Sequence, residues 1–164
     1  MSESIAIMWH RRDLRLHDNA AAYHALKNHN KVLPLFIFDK KILDKLPDKA
    51  DRRVTFIHRE ISRIKKELEK EGSSIKIIYD TPEKAFEQLL DEYNIEAVYT
   101  NRDYEPYSRK RDELIEKMLD EKDIAFHTCK DQCIFEKDQV VKKDGDSYSV
   151  FTPYSRTWMD HLKK

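Results

Sequence analysis

The run V-L-P-L-F-I-F at residues 32–38 is apolar from end to end. A strand with one face in water alternates apolar and polar residues. An unbroken run of this length fits a strand buried on both faces, the situation in a parallel sheet covered by helices. Upstream, I-A-I-M-W at residues 5–9 has the same character, and Asp18 or Asn19 stands where it can cap a helix over residues 20–26. Downstream, residues 51–71 carry the clearest helix: Val54, Ile57, Ile61, Ile64 and Leu68 recur at spacings of three and four. Gly72 follows as its stop. Residues 75–79 read as a third strand, and Thr81-Pro82-Glu83 opens a helix with a cap and a first-turn proline. That helix is expected to bury Phe86, Leu89, Leu90 and Tyr93. A fourth strand at residues 96–100, a helix at about 108–122 with Leu114, Ile115, Met118 and Leu119 on one side, and a fifth strand at 124–128 complete the alternation. Residues 140–150 read as a small hairpin turning at Asp144-Gly145, and a last helix starts near Phe151. Strands separated by helices of this length need right-handed crossovers, so the fold class is α/β: a doubly wound five-stranded parallel sheet with helices on both faces. With strand order 3-2-1-4-5, residues 9–13 face residues 101–105 across the carboxyl ends of the strands, where such sheets bind ligands.

Composition narrows the function. The 164 residues suit one domain. Lysines plus arginines number 31 and aspartates plus glutamates 31, so no net field draws phosphate, and the chain is not expected to bind nucleic acid by itself. No apolar run approaches the ~20 residues that span a bilayer. The acidic start M-S-E-S does not resemble a signal peptide, and Cys129 and Cys133 are too few for a disulfide framework, so a cytoplasmic location and no membrane contact are expected. No glycine sits in the first strand-to-helix turn and no phosphate-cradling loop is present, which weighs against a dinucleotide or nucleoside-triphosphate enzyme.

Several constellations carry possible chemistry. Residues 9–19 hold Arg11, Arg12, Asp13, Arg15 and Asp18 directly after a strand. They read either as a polar clamp at a crevice or as a self-neutralising loop in which Asp13 and Asp18 pair with the arginines, and charge pattern alone favours the loop. After the fourth strand, Asp103 or Glu105 could accept a hydrogen bond from a ring N–H or hydroxyl, or simply favour a helix start ahead of Pro106. Phe36 and Phe38 share a face and could wall a ring, although such residues are more often plain core. His127, Cys129 and Cys133 suggest zinc, but only three ligands lie close, so a packed cysteine and no metal are expected. No nucleophile–base pair stands out, and no catalytic residue is expected in this chain.

Four blocks in order, W-H-R-R-D-L-R-L-H-D-N (9–19), L-P-L-F-I-F-D (33–39), N-R-D-Y-E-P-Y-S-R-K-R-D (101–112) and Y-S-V-F-T-P-Y-S-R-T-W (148–158), resemble the photolyase/cryptochrome family over almost the whole chain. The resemblance implies a Rossmann-like N-terminal domain over residues 1–164, followed in family members by a helical domain that binds FAD, holds DNA and splits ultraviolet-induced pyrimidine dimers with light. That second domain is absent here, so a cut-down piece, inactive in repair alone, is expected. The implied function is the light-harvesting domain of a deoxyribodipyrimidine photolyase, a lyase in its complete form. The alternatives are a cryptochrome blue-light receptor or a stand-alone small-ligand module.

The resemblance also implies an antenna chromophore in this domain. By matched position, its contacts are Phe36, Ile37 and Phe38 at the end of the second strand, Arg53 at the start of the long helix, and Asp103 in the N-x-D element, with Glu105 beside it. Folate-type relatives carry Asn-Glu where this chain has Tyr107-Ser108, so a deazaflavin, FMN or lumazine is expected over a folate. His10 stands where Phe is usual.

Overall fold

A computed structural model describes residues 4–48 and 50–163; the acidic residues 1–3, Lys49 and Lys164 lie outside the described residues. The chain forms two compact units that meet in sequence between Asp131 and Gln132.

The first unit is the α/β sheet. Its elements run β1 (Ile5–His10), α1 (Ala20–Asn28), β2 (Val32–Asp39), α2 (Lys40–Leu43), α3 (Arg52–Lys70), β3 (Lys76–Asp80), α4 (Pro82–Glu92), β4 (Ile95–Asn101), α5 (Pro106–Asp120) and β5 (Ala125–Cys129). All pairings are parallel, as the crossover argument requires, and the order is β3-β2-β1-β4-β5. Alternation along the strands divides the side chains between two faces. Ile7, Trp9, Leu35, Ile37, Ile78 and Val98 pack beneath Phe86 and Leu89 of α4 and Ile115 and Leu119 of α5. On the opposite face, Ala6, Met8, Ala97 and Tyr99 meet the alanines of α1, and Phe36 meets Ile61 and Ile64 of α3. Both faces are thereby closed, which is why β2 tolerates no polar residue before Asp39.

Helix starts follow their caps: Asn19 accepts from the Ala22 amide, Asp51 from Arg53 and Thr81 from Lys84. Gly72 ends α3 with φ at +74°, a conformation that costs a side-chain-bearing residue about 1 kcal/mol. One helix face differs from the expected stripe. Leu114 is 52% exposed, and the inward row of α5 is Ser108, Arg111, Ile115 and Leu119. The short α2, capped by Asp39, has no periodicity to announce it.

The second unit holds a 3-10 turn, Lys137–Gln139, and α6, Phe151–Leu162. The hairpin expected over residues 140–150 is not formed. Its turn is present, with the Lys142 amide donating to the Asp146 carbonyl at 2.9 Å and Gly145 at φ +88°, but no strand pairing flanks it. Within this unit Phe135 meets the Trp158 ring edge-on at 5.4 Å, and the Tyr148 hydroxyl bonds that of Thr157 at 2.9 Å.

Candidate functional site

A cleft of about 370 Å³ opens at the carboxyl ends of β1 and β2. Trp9 and His10 form its floor with Phe36, Ile37 and Phe38, while Ile42, Leu43 and Ile57 extend the apolar side. Asp103, Glu105, Tyr107 and Ser108, from the segment after β4, supply the polar side. The rings of Phe36 and Phe38 meet edge-on, 4.9 Å apart. Trp9, 2% exposed, is approached by the guanidiniums of Arg11 and Arg111, whose central carbons stand 5.3 and 4.9 Å from its ring centre. Both guanidiniums bond Asp112: Arg11 at 2.5 and 2.6 Å, Arg111 at 3.0 and 3.1 Å.

Beside the cleft a sealed polar knot ties β1, α1 and β4 together. Asn101 donates to Asp13 at 2.6 Å and to Asn19 at 2.9 Å, and accepts from the Ala21 amide at 2.9 Å. Asp13 also accepts from the Arg11 amide at 2.8 Å and the Asn19 side chain at 3.0 Å. The gap where strand order reverses is therefore filled by the protein, and the open cleft lies to the β2 side of it. The arginines of residues 9–19 find their carboxylates elsewhere in the chain: Arg11 on Asp112, Arg12 on Asp103 and Glu105, Arg15 on Asp131. The self-neutralising loop is thus corrected. Asp13 is taken by amides, and Asp18 uses its backbone carbonyl to receive Arg15.

The cleft's electrostatics follow from these partners. Burial pushes the Asp103 carboxyl up, but the Ser108 hydroxyl at 2.9 Å, the Glu105 amide and the guanidiniums of Arg12 and Arg11 together hold it below its usual range. Asp103 is therefore an anion at neutral pH. Burial and the hydrogen bond to Asp39, at 2.5 Å, push the Tyr107 hydroxyl up, so it stays a donor. Arg53 is committed to Asp51, whose carboxyl its hydrogen bonds hold down at about 2.

Phe36, Ile37, Phe38, Arg53, Asp103 and Glu105 all border this one cleft. Arg12, Asp39, Tyr107 and Arg111 border it too and were not singled out as contacts in the sequence. Tyr107 and Arg111 lie in the same 101–112 block, which was the available signal. His127 stacks at 4.6 Å on Tyr99, and no group of three or more possible ligands that could hold a metal occurs among the described residues. Among those residues, no helix is long and apolar enough to cross a membrane.

Residues 6–164 match the DNA photolyase family. A deoxyribodipyrimidine photo-lyase of Alkalihalophilus pseudofirmus is 38% identical over 168 residues, covering 99% of this chain and 34% of that protein. Among solved structures, an archaeal photolyase from Sulfolobus tokodaii, described with two FAD molecules and the implication of a novel light-harvesting cofactor, is 33% identical with a TM-score of 0.73 over 81% of this chain and 32% of its own. A bacterial class III photolyase from Agrobacterium tumefaciens, 24% identical, shares the fold with a TM-score of 0.84 over 97% of this chain and 32% of its own. The chain spans about a third of the length of these three relatives.

Proposed function

The chain belongs to the DNA photolyase family, and from that premise we propose that residues 1–164 are the light-harvesting N-terminal domain of a deoxyribodipyrimidine photolyase. The complete protein would be a carbon–carbon lyase acting on DNA through a FAD-binding helical domain that these residues do not include. This domain alone performs no repair. The reducing cytoplasm is the compartment that suits the reading.

The observation that carries the proposal is the cleft. Its volume of about 370 Å³ falls within the roughly 300–1,000 Å³ of small-ligand sites. It joins an apolar floor to the ionised carboxylate of Asp103 and the firmly protonated hydroxyl of Tyr107. Its other charged groups are paired, Arg11 and Arg111 on Asp112, Arg12 on Glu105 and Arg53 on Asp51. That set of groups suits a flat, largely uncharged ring system with polar edges, and a deazaflavin, FMN or lumazine meets the description. A folate is expected to bind less well. Such a pigment, when bound, supplies absorption of light and transfer of excitation to FAD by dipole coupling, which falls steeply with separation. The work of this chain is accordingly positional. Phe36 and Phe38 exclude water from the ring, Trp9 is fixed under two guanidiniums, and Asp103 accepts a hydrogen bond that sets the ring's angle.

Titration of the chain with FMN, a deazaflavin, a lumazine and a folate, followed by absorbance and fluorescence, tests this. The expected result is saturable binding of at least one of the first three, tighter than the folate. Absence of binding by all four would remove the antenna reading.

A further inference from the structure

His10 ends β1 and is 1% exposed, yet it borders the cleft. Its Nδ1 stands 3.2 Å from the Asp13 carbonyl oxygen. A carbonyl oxygen only accepts, so Nδ1 carries the ring proton and Nε2 presents a lone pair. Burial lowers the imidazole's proton affinity, and the nearby Asp13 opposes this without reversing it, so the ring stays neutral at pH 7. Among the described residues no group bonds Nε2. Nε2 is not a sealed atom without a partner, the one found among these residues being a Glu83 oxygen, and His10 is among the residues that line the cleft. The polar neighbours are already occupied: Arg11 by Asp112, Arg12 by Asp103 and Glu105, Tyr107 by Asp39.

Resting on the reading of the cleft as a ring-binding site, we propose that His10 Nε2 is the acceptor for a lactam-type N–H on the buried edge of the bound ring. His10 then determines specificity. A ring that presents a proton there fills an acceptor left open in the floor. A ring carrying an alkyl group on that nitrogen leaves Nε2 unpaired and pushes a methyl against it. Burial makes the distinction sharp, because an acceptor left without a donor inside the protein loses its water as well.

The test uses the whole chain with two probes, FMN and its N3-methyl derivative, titrated by flavin fluorescence. Wild type is expected to bind FMN about tenfold tighter than the methylated ring. His10→Phe, similar in shape but without a lone pair, should bind both alike through loss of FMN affinity, and His10→Gln, which retains an acceptor oxygen, should recover part of the preference. Nitrogen NMR of the unliganded wild-type chain supplies a readout that no variant's folding can obscure. Nε2 should carry the shift of an unprotonated imidazole nitrogen and move on addition of FMN but not of N3-methyl FMN. Equal affinities in wild type, or a protonated Nε2, overturn the inference while leaving the ring-binding reading intact. Failure of wild type to bind FMN overturns it as well, and failure with every ring removes both.

Discussion

Two polar clusters grow from the same stretches of chain, residues 9–19 and 101–112, and they serve opposite ends. In the knot, Asp13, Asn19 and Asn101 are 5%, 5% and 2% exposed and satisfy one another and the first amides of α1. In the rim cluster, Arg12 has 53% of its side chain exposed, bonds Asp103 and Glu105, and borders open space. Each is built around a buried aspartate, Asp13 in the knot and Asp103 at the rim. What separates them is whether water, or a ligand, can replace a lost partner. A sealed group that loses its partner has no substitute, whereas a rim group has one within reach.

The strongest way to break the contrast is Asn101→Ala. It strips Asp13, Asn19 and the Ala21 amide of a partner together, and should lower unfolding free energy by about 3 kcal/mol in a urea titration. A loss below about 1 kcal/mol would mean that water enters the knot. Asp103→Asn should reverse the emphasis. Stability should fall by only about 1 kcal/mol, because Asn keeps one acceptor oxygen at this buried position, while affinity for the bound ring falls about tenfold, the worth of one hydrogen bond to a charged group. Tyr107→Phe lies between the two, removing the donor from Asp39, and should cost about 1 kcal/mol of stability by the same urea assay. Arg12→Ala should cost less still, about 0.5 kcal/mol, because its own guanidinium and the Glu105 carboxylate face solvent and Asp103 keeps its Ser108 and Glu105 amide partners.

The finest test is acid. Asp103 is held below its ordinary range in the folded chain, so its contribution to stability is present above about pH 4 and is lost as pH falls through the folded value. The difference in urea midpoint between wild type and Asp103→Asn should therefore shrink on going from pH 7 toward pH 3. A gap that widened would place the Asp103 partners elsewhere.

The sheet was legible because its signals are periodic and local. An unbroken apolar β2 demands two covered faces, and the three-four spacing of Val54 to Leu68 demands a helix along one of them. Errors arose where side-chain chemistry outweighs hydrophobicity. Leu114 was expected inward, but Ser108 and Arg111 take those positions because Asp103 and Asp112 satisfy their polar groups there. The 140–150 stretch carries a real turn at Gly145, and a turn alone does not supply a partner strand. The apolar side of the cleft could be read from residues 36–38. The partners of Arg11, Arg12 and Arg15 could not, since each lies about 90 to 116 residues away and is fixed only by the crossovers.

That separation in sequence has a kinetic consequence. The floor of the cleft exists only after β1 has paired with β4, Trp9 opposite Thr100, and with β2, His10 opposite Phe36. Pairings between such distant segments are late, entropically expensive steps in the folding of parallel sheets. A ring seated in the cleft needs that assembled floor. It should hardly hasten folding, and should act instead by slowing the opening of the β1–β4 seam, so that a pigment bound there is also a brake on the domain's unfolding.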